Sequence, residues 1–282
     1  MSLSSTSDHA SDAASGDPKD RRSFRLPLLE GGFGLAGERK AIALLCLAFY
    51  MAFYWLLSLI LYNAPPDEPQ LRAWWACFAA LGGVYGIAFF ALGADWFWAR
   101  WFAVGLGYSG LTVAGWGMVQ MRAIEPVLLF YGATHGAIAL MLQGQRLIQR
   151  FEGRQDWRER LGLDEHGVER VRNTVTRAAA GLPTLILIAL APREGAEGLL
   201  VLAGLGLLGV LWARTWGVLL LMGVVAGLPL AIWHSHVGTL SAPHALLTAG
   251  NLHQLAVLSF GFLLAATVPY TRPVLSFLSR RR

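Results

Sequence analysis

Histidine is the residue type whose placement in this 282-residue chain most suggests chemistry. Four of the seven, His234, His236, His244 and His253, fall within twenty consecutive residues, far denser than an even spread. Neutral imidazole nitrogen suits zinc, copper, nickel or haem iron, so the quartet is a candidate transition-metal set. His234 and His236 point the same way only where the chain is extended, because a helix turns about 100° per residue and would splay them apart. Pro229 one turn upstream and Gly238 just downstream favour an early end to that helix. His253 then enters from the next helix, and His244, after Pro243, closes from the loop. His234 and His253, at one depth on adjacent helices, equally suit axial ligation of a haem. Against both stands a plain structural reading, in which imidazoles rim a membrane interface with one edge wet. The connecting loop also holds no Cys or acidic residue to complete a metal set.

His135 differs in kind, lying mid-way along an apolar block in Tyr131-Gly132-Ala133-Thr134-His135-Gly136. It is nine residues past Pro126 and therefore ~13 Å from the end of that block if the block is helical. Structurally, a neutral ring there is satisfied by a Ser, a Thr or a backbone carbonyl of a neighbour. Functionally, it is a haem ligand, a quinone contact or a member of a proton relay facing the bundle interior. Asn251, Gln254 and Ser259 on one block, and Tyr108, Ser109 and Thr112 on another, are its candidate partners.

Other chemistries are excluded by what is missing. No Asp or Glu lies inside any apolar block, which disfavours cation-coupled transport through an embedded carboxylate and enzymes that need acidic motifs along their helices. No phosphate-binding glycine loop, nucleophile elbow or paired-histidine zinc motif occurs in its required context. Cys46 and Cys77 fall near opposite ends of the first two blocks, beyond disulfide reach if those are antiparallel neighbours, and read as packing residues.

The elements that must position these residues follow from composition. Hydrophobic residues make up 55% of the chain and charged ones 15%, with 32 Gly and 11 Trp, which excludes a water-soluble enzyme and fits helices packed in lipid. A crossing needs roughly 20 apolar residues. Ala41 to Tyr62, Ala73 to Leu92, Trp101 to Met121, Pro126 to Gln143, Trp216 to Trp233 and Leu252 to Tyr270 qualify without a single Asp, Glu, Lys or Arg. Val175 to Ala191 and Gly198 to Ala213 are shorter and are two more crossings or a re-entrant pair. The expectation is an all-α integral membrane protein, a polytopic bundle of eight spans with six as the fallback.

Charge placement orients it. With eight spans and an inner N-terminus, twenty of the twenty-three Lys and Arg fall on the inner side, leaving only Arg72, Arg122 and Arg193 outside. Both termini are therefore expected in the cytoplasm and the protein in a cytoplasmic-type inner membrane. The organisation expected is a disordered cytoplasmic tail over 1–40, a four-helix half over 41–143, a cytoplasmic amphipathic loop over 144–174, a second half over 175–271 and a basic tail over 272–282. Arg21 and Arg22 resemble an export signal, but Glu30, Glu38, Arg39 and Lys40 interrupt any apolar region after them.

The loop places Leu147, Phe151, Trp157, Leu161, Val168 and Val171 at roughly helical spacing among mixed charges, with Gly153, Gly162 and Gly167 expected to break it into pieces. It is either a solvated turn or a docking surface for a cytoplasmic protein or anionic lipid. Its near-balance of charge argues against nucleic acid. Gly82 and Gly86, and the glycines of the third block, indicate close helix packing within the chain or in a homo-oligomer. The functional expectation is a histidine-bound transition metal or haem at the outer face, serving electron transfer, metal handling or assembly of a redox complex. The alternatives are a scaffold that captures a cytoplasmic partner through its tail and the 144–174 loop, and a small-solute transporter.

Overall fold

Backbone amides and carbonyls inside a bilayer have no water to bond, so apolar runs close their hydrogen bonds within a helix. The computed structural model describes residues 36–65, 71–72, 74–153, 155–191, 197–234 and 249–279, and over these the chain is helical with no strand. The helices are α1 (Ala36–Tyr62), α2 (Trp75–Gly93), α3 (Ala99–Met121), α4 (Pro126–Met141), α5 (Gln145–Glu152), α6 (Gln155–Leu161), α7 (Glu165–Ala189), α8 (Glu197–Leu211), α9 (Thr215–His234) and α10 (Ala249–Ser279). Each apolar block expected from the sequence falls on one of them. Gly37–Tyr62, Trp75–Gly93, Ala99–Met121 and Leu252–Thr271 are long and apolar enough to cross a bilayer, and α4 with α5, bent by 70°, makes a fifth if taken together.

Four or five such helices among the described residues, rather than eight, has local causes. α4 contains 16 residues, about 24 Å at ~1.5 Å each, before Gly144 turns the chain at φ 118°. α7 carries Arg170, Arg172 and Arg177 in its first half, so only its second half is purely apolar. α8 and Thr215–Ala231 are apolar but shorter. The outer surface is nonetheless that of a protein solvated by lipid: Leu45 is 72% exposed, Phe90 67% and Val127 75%.

The helices form two four-membered groups. α1 packs on α2 and α4, and α3 closes that group from the other side; α7, α8, α9 and α10 form the second. The groups join along α7, which packs on α3 and α2 and is buried almost throughout from Val175 to Ala189. Small residues permit the joint. A Cβ on Gly105 of α3 would lie 2.3 Å from the Thr176 carbonyl oxygen and 2.7 Å from the Ala179 Cβ of α7. Cys46 and Cys77 are free thiols, and Cys77 is buried with its Sγ 3.8 Å from the Ile186 carbonyl.

Charges gather at one end. The last turns of α2 and α4 contain no basic residue of their own, so neighbouring helices supply the cations that their terminal carbonyls favour. Lys40 of α1 donates to the Gly93 carbonyl at 3.2 Å, Arg39 to that of Leu140 at 2.9 Å, and Arg100 of α3 to that of Leu142 at 3.2 Å. This explains why α1 begins at Ala36, five residues ahead of its apolar run. Asp95 joins Lys40 at 2.8 Å and Arg150 at 2.7 Å. Partial burial raises the Asp95 carboxyl pKa, but hydrogen bonds from Arg150 and Lys40 outweigh it and hold the group below its ordinary range. Glu152, buried, pairs with Arg100, accepts from Trp101 Nε1 at 2.8 Å and lies 3.5 Å from Arg172 of α7. Thr174, two residues on, meets the Tyr270 hydroxyl of α10 at 3.2 Å. The start of α1, the segment 144–164 and the Tyr270 region of α10 thus share one end of the bundle.

The apolar residues of 144–174 turn inward. Leu147, Phe151, Trp157, Val168 and Val171 are buried, and the Trp157 ring stacks on Phe97 with centroids 4.4 Å apart. Gly153 and Gly162 do end α5 and α6. Gly167, expected to break the chain, instead lies in the first turn of α7, where its N–H donates to the Asp164 cap at 2.7 Å.

Candidate functional site

One turn of helix separates Tyr50 from Tyr54 on α1 and Tyr131 from His135 on α4, so each pair presents two rings to the same side. Tyr85 of α2 fills the space between them. The His135 ring centroid lies 4.1 Å from that of Tyr131 and 4.3 Å from that of Tyr50, and Tyr85 is 5.4 Å from Tyr54 and 5.5 Å from Tyr50. His135 and Tyr85 are fully buried. The imidazole fits only because α3 offers a glycine to it: a Cβ on Gly110 would lie 2.0 Å from both Cγ and Cδ2 of the His135 ring.

The hydrogen bonds fix which atoms carry protons. His135 Nδ1 lies 2.8 Å from the Tyr131 carbonyl oxygen, which can only accept, so Nδ1 bears the hydrogen and Nε2 is the acceptor. The Tyr85 hydroxyl, 2.6 Å away, donates to Nε2. With its hydrogen so committed, the Tyr85 oxygen can only receive. The Tyr131 hydroxyl lies 3.3 Å from that of Tyr54, and either of the two can donate. Tyr85 with His135, and Tyr54 with Tyr131, are thus two hydrogen-bonded pairs packed side by side. A side branch has Tyr50 donating to Thr134 Oγ1 at 2.5 Å, while the Thr134 hydrogen goes to the Phe130 carbonyl at 2.8 Å.

The cluster has one imidazole acceptor, His135 Nε2, already engaged by Tyr85. No Asp, Glu, Lys or Arg belongs to it among the described residues, and its resting charge is zero.

Both His135 nitrogens are occupied, so a metal or haem iron on this ring would first have to displace Tyr85 or the Tyr131 carbonyl. Among the described residues none of its expected side-chain partners is hydrogen-bonded to it. Gln254 accepts from Trp116 at 2.8 Å and from Gln120 at 2.5 Å, Ser259 donates to the Gly181 carbonyl at 3.0 Å, and Thr112 to that of Tyr108 at 2.8 Å. Ser109 is buried without a hydrogen-bond partner among the described residues, and the Asn251 side chain lies outside them.

Of the histidine quartet, His234 closes α9 and His253 lies in the first turns of α10, half-buried; α9 and α10 pack on each other. His236, His244 and the His234 side chain lie outside the described residues. Among the described residues no three His, Cys, Asp or Glu side chains gather as a metal ion would require.

No protein-family model, curated protein or solved structure matches the chain.

The tyrosines are what sequence reasoning missed. Trp residues cluster at the block ends, as interfacial anchors do, but Tyr50, Tyr85 and Tyr131 sit inside the blocks, where a phenol hydroxyl must find a partner. Tyr131 four residues before His135, and Tyr50 four before Tyr54, were the available signal.

Proposed function

We propose that this protein is a multi-pass component of a cytoplasmic-type membrane that serves electron transfer, and that the proton compensating each transferred electron is stored at His135. The observation that carries this reading is the 2.6 Å hydrogen bond from Tyr85 to His135 Nε2, with Nδ1 held by a carbonyl. Moving an electron through a medium of low dielectric leaves an uncompensated charge, which is costly there. A neutral interior imidazole that takes up one proton as the electron arrives offsets that cost without an embedded carboxylate. In this reading the chain crosses the membrane eight times, with the charged end of the bundle and both termini on the cytoplasmic side. The bias of Lys and Arg, and the shared end of α1, α5 and α10, support that orientation.

The test is a spectroelectrochemical titration of the protein purified with its native membrane partners. A redox group coupled to one proton per electron shifts its midpoint by about 59 mV per pH unit. His135→Gln, which cannot be protonated, should flatten that dependence. Absence of any redox-active absorption, or an unchanged slope in the variant, would overturn the reading.

A second reading keeps a transition metal or haem at the outer histidines, and what favours it is that His234 and His253 belong to helices that pack together. Optical and elemental analysis of the purified protein decides it: stoichiometric metal or haem should vanish in His234→Ala with His253→Ala. Docking of a cytoplasmic protein on 144–174 has less in its favour, since Leu147, Phe151, Trp157, Val168 and Val171 already pack on the bundle.

A further inference from the structure

We propose that one exposed side of α7, carrying Arg170, Asn173 and Arg177, binds the phosphate of an anionic phospholipid. The proposal is independent of the electron-transfer reading and needs only that these helices lie in lipid.

It starts from a gap in the hydrogen bonding of α10. Pro269 has no N–H, so the Ala265 carbonyl four residues earlier lacks the donor that an α-helix would give it. Arg177 of α7 supplies one, donating to the Ala265 oxygen at 2.7 Å. Thr174, one turn back, ties α7 to the same stretch through the Ala266 carbonyl at 3.4 Å and the Tyr270 hydroxyl at 3.2 Å. Ala265 lies six residues before Thr271, where the apolar span of α10 ends, ~9 Å along the helix. The guanidinium is therefore held at membrane depth, and yet Arg177 is exposed. A guanidinium has five N–H donors and a charge that does not titrate away. Beyond the bond to Ala265, its donors have no partner among the described residues. No carboxylate answers the charge either, since α7 contains no Asp or Glu after Glu169 and α10 contains none at all. An unpaired cation at that depth is costly, and the counter-charge within its reach is a lipid phosphate.

Two more groups share this side. Arg170 and Arg177 are seven residues apart, two helical turns to within ~20°, so they stand ~10 Å apart along one side of α7 with Asn173 between them. Arg170 is exposed, Asn173 half-buried, and neither side chain has a hydrogen-bond or ion-pair partner among the described residues. Arg172 makes the contrast: it turns to another side of the helix, where Glu152 lies at 3.5 Å and Glu169 at 3.8 Å. The chain thus neutralises one of its three arginines here and leaves two facing out at the membrane boundary. Guanidinium donors match phosphate oxygens in pairs. A phosphatidylcholine brings a cation beside its phosphate, which two arginines repel, whereas a lipid of net negative charge is attracted by both. With the orientation proposed above, this lipid belongs to the cytoplasmic leaflet.

The experiment places the full-length protein in phosphatidylcholine bilayers and measures, by electron spin resonance, the motionally restricted fraction of spin-labelled phosphatidylglycerol and of spin-labelled phosphatidylcholine. The anionic lipid should associate about five-fold more tightly or better. Arg170→Gln, remote from the Ala265 carbonyl, should lose part of that preference, and Arg170→Gln with Arg177→Gln should bring the two lipids to parity. Glutamine keeps an N–H for the carbonyl, and retained helical circular dichroism establishes that the variants fold. Replacing Arg280, Arg281 and Arg282 together by Gln removes more charge and should leave most of the preference in place. Inorganic phosphate in excess, at matched ionic strength, should not displace the lipid. Parity in the parent protein, a preference undiminished in either α7 variant, or an equal loss in the tail variant would overturn the site. Displacement by inorganic phosphate would overturn the lipid as its occupant in favour of a soluble anion.

Discussion

Gly110→Ala tests the tyrosine–histidine centre most directly, because the added methyl has nowhere to go. Its carbon would lie 2.0 Å from Cγ and Cδ2 of the His135 ring. The ring cannot retreat: it is held at Nδ1 and Nε2 by bonds of 2.8 and 2.6 Å and flanked by Tyr131 and Tyr50 at 4.1 and 4.3 Å. Overpacking of this kind costs about 1–3 kcal/mol, and a displaced ring leaves buried groups unsatisfied at about 1–3 kcal/mol more, so the expected loss is about 2–6 kcal/mol. Gly115→Ala on the same helix is the control. A Cβ there meets nothing within 4 Å, and alanine favours the helix by about 1 kcal/mol, so no loss is expected. Reversible unfolding in mixed micelles, followed by helical circular dichroism, measures both. In a His135→Ala background the clash is gone and Gly110→Ala should cost under ~1 kcal/mol, an interaction energy well above the scatter of independent sites. A Gly110→Ala variant no weaker than Gly115→Ala, or a penalty that persists without the ring, would refute the packing argument.

Three further outcomes are expected. Glu152→Gln leaves the buried Arg100 guanidinium without its counter-charge and should destabilise the docking of α5 by about 3 kcal/mol, seen as protease cleavage within 144–164 that the parent protein resists. Because the Asp95 carboxyl pKa is held below its unfolded value, its bonds to Lys40 and Arg150 stabilise the fold above the ordinary carboxylate range and are lost as pH falls through the lowered folded value; Asp95→Asn should make an acid titration of stability shallower. Tyr50→Phe removes one donor to a Thr134 oxygen that keeps its own bond to the Phe130 carbonyl, so about 1 kcal/mol of stability should go, with the Tyr85–His135 hydrogen bond, read by nitrogen chemical shifts of labelled histidine, unmoved.

How much was legible beforehand differed by the range of the interaction involved. Helix positions were, because hydrophobicity and the absence of charge are properties of contiguous residues, and every apolar block became a helix. Which helices are long and apolar enough to cross was less legible, since α4 ends at Met141 and α7 mixes Arg172 and Arg177 into its path. His135 could be singled out as an interior imidazole. Its partners could not, because Tyr85 is fifty residues away and reaches it only through the packing of α2 on α1 and α1 on α4. The partners expected for it, Asn251, Gln254, Ser259, Tyr108, Ser109 and Thr112, included one phenol but not Tyr85, whose block offers no sign in sequence of facing the fourth. In the segment 144–174 the spacing of Leu147, Phe151, Trp157, Val168 and Val171 could be read, but spacing alone does not say whether an apolar side meets the chain itself or something else.

The cation that caps α4 comes from the start of α1, and this sets an order of assembly. A ribosome delivers Arg39 about a hundred residues before the Leu140 carbonyl that it serves. Until then Arg39 lacks the carbonyl that it caps, while the hairpin of α1 and α2 is already held by Lys40 with Gly93 and Asp95, by Ser58 with the Trp75 carbonyl and by Tyr54 against Phe78 and Tyr85. The cap on α4 thus forms only once Leu140 has emerged, and any truncation before that residue leaves Arg39 without it.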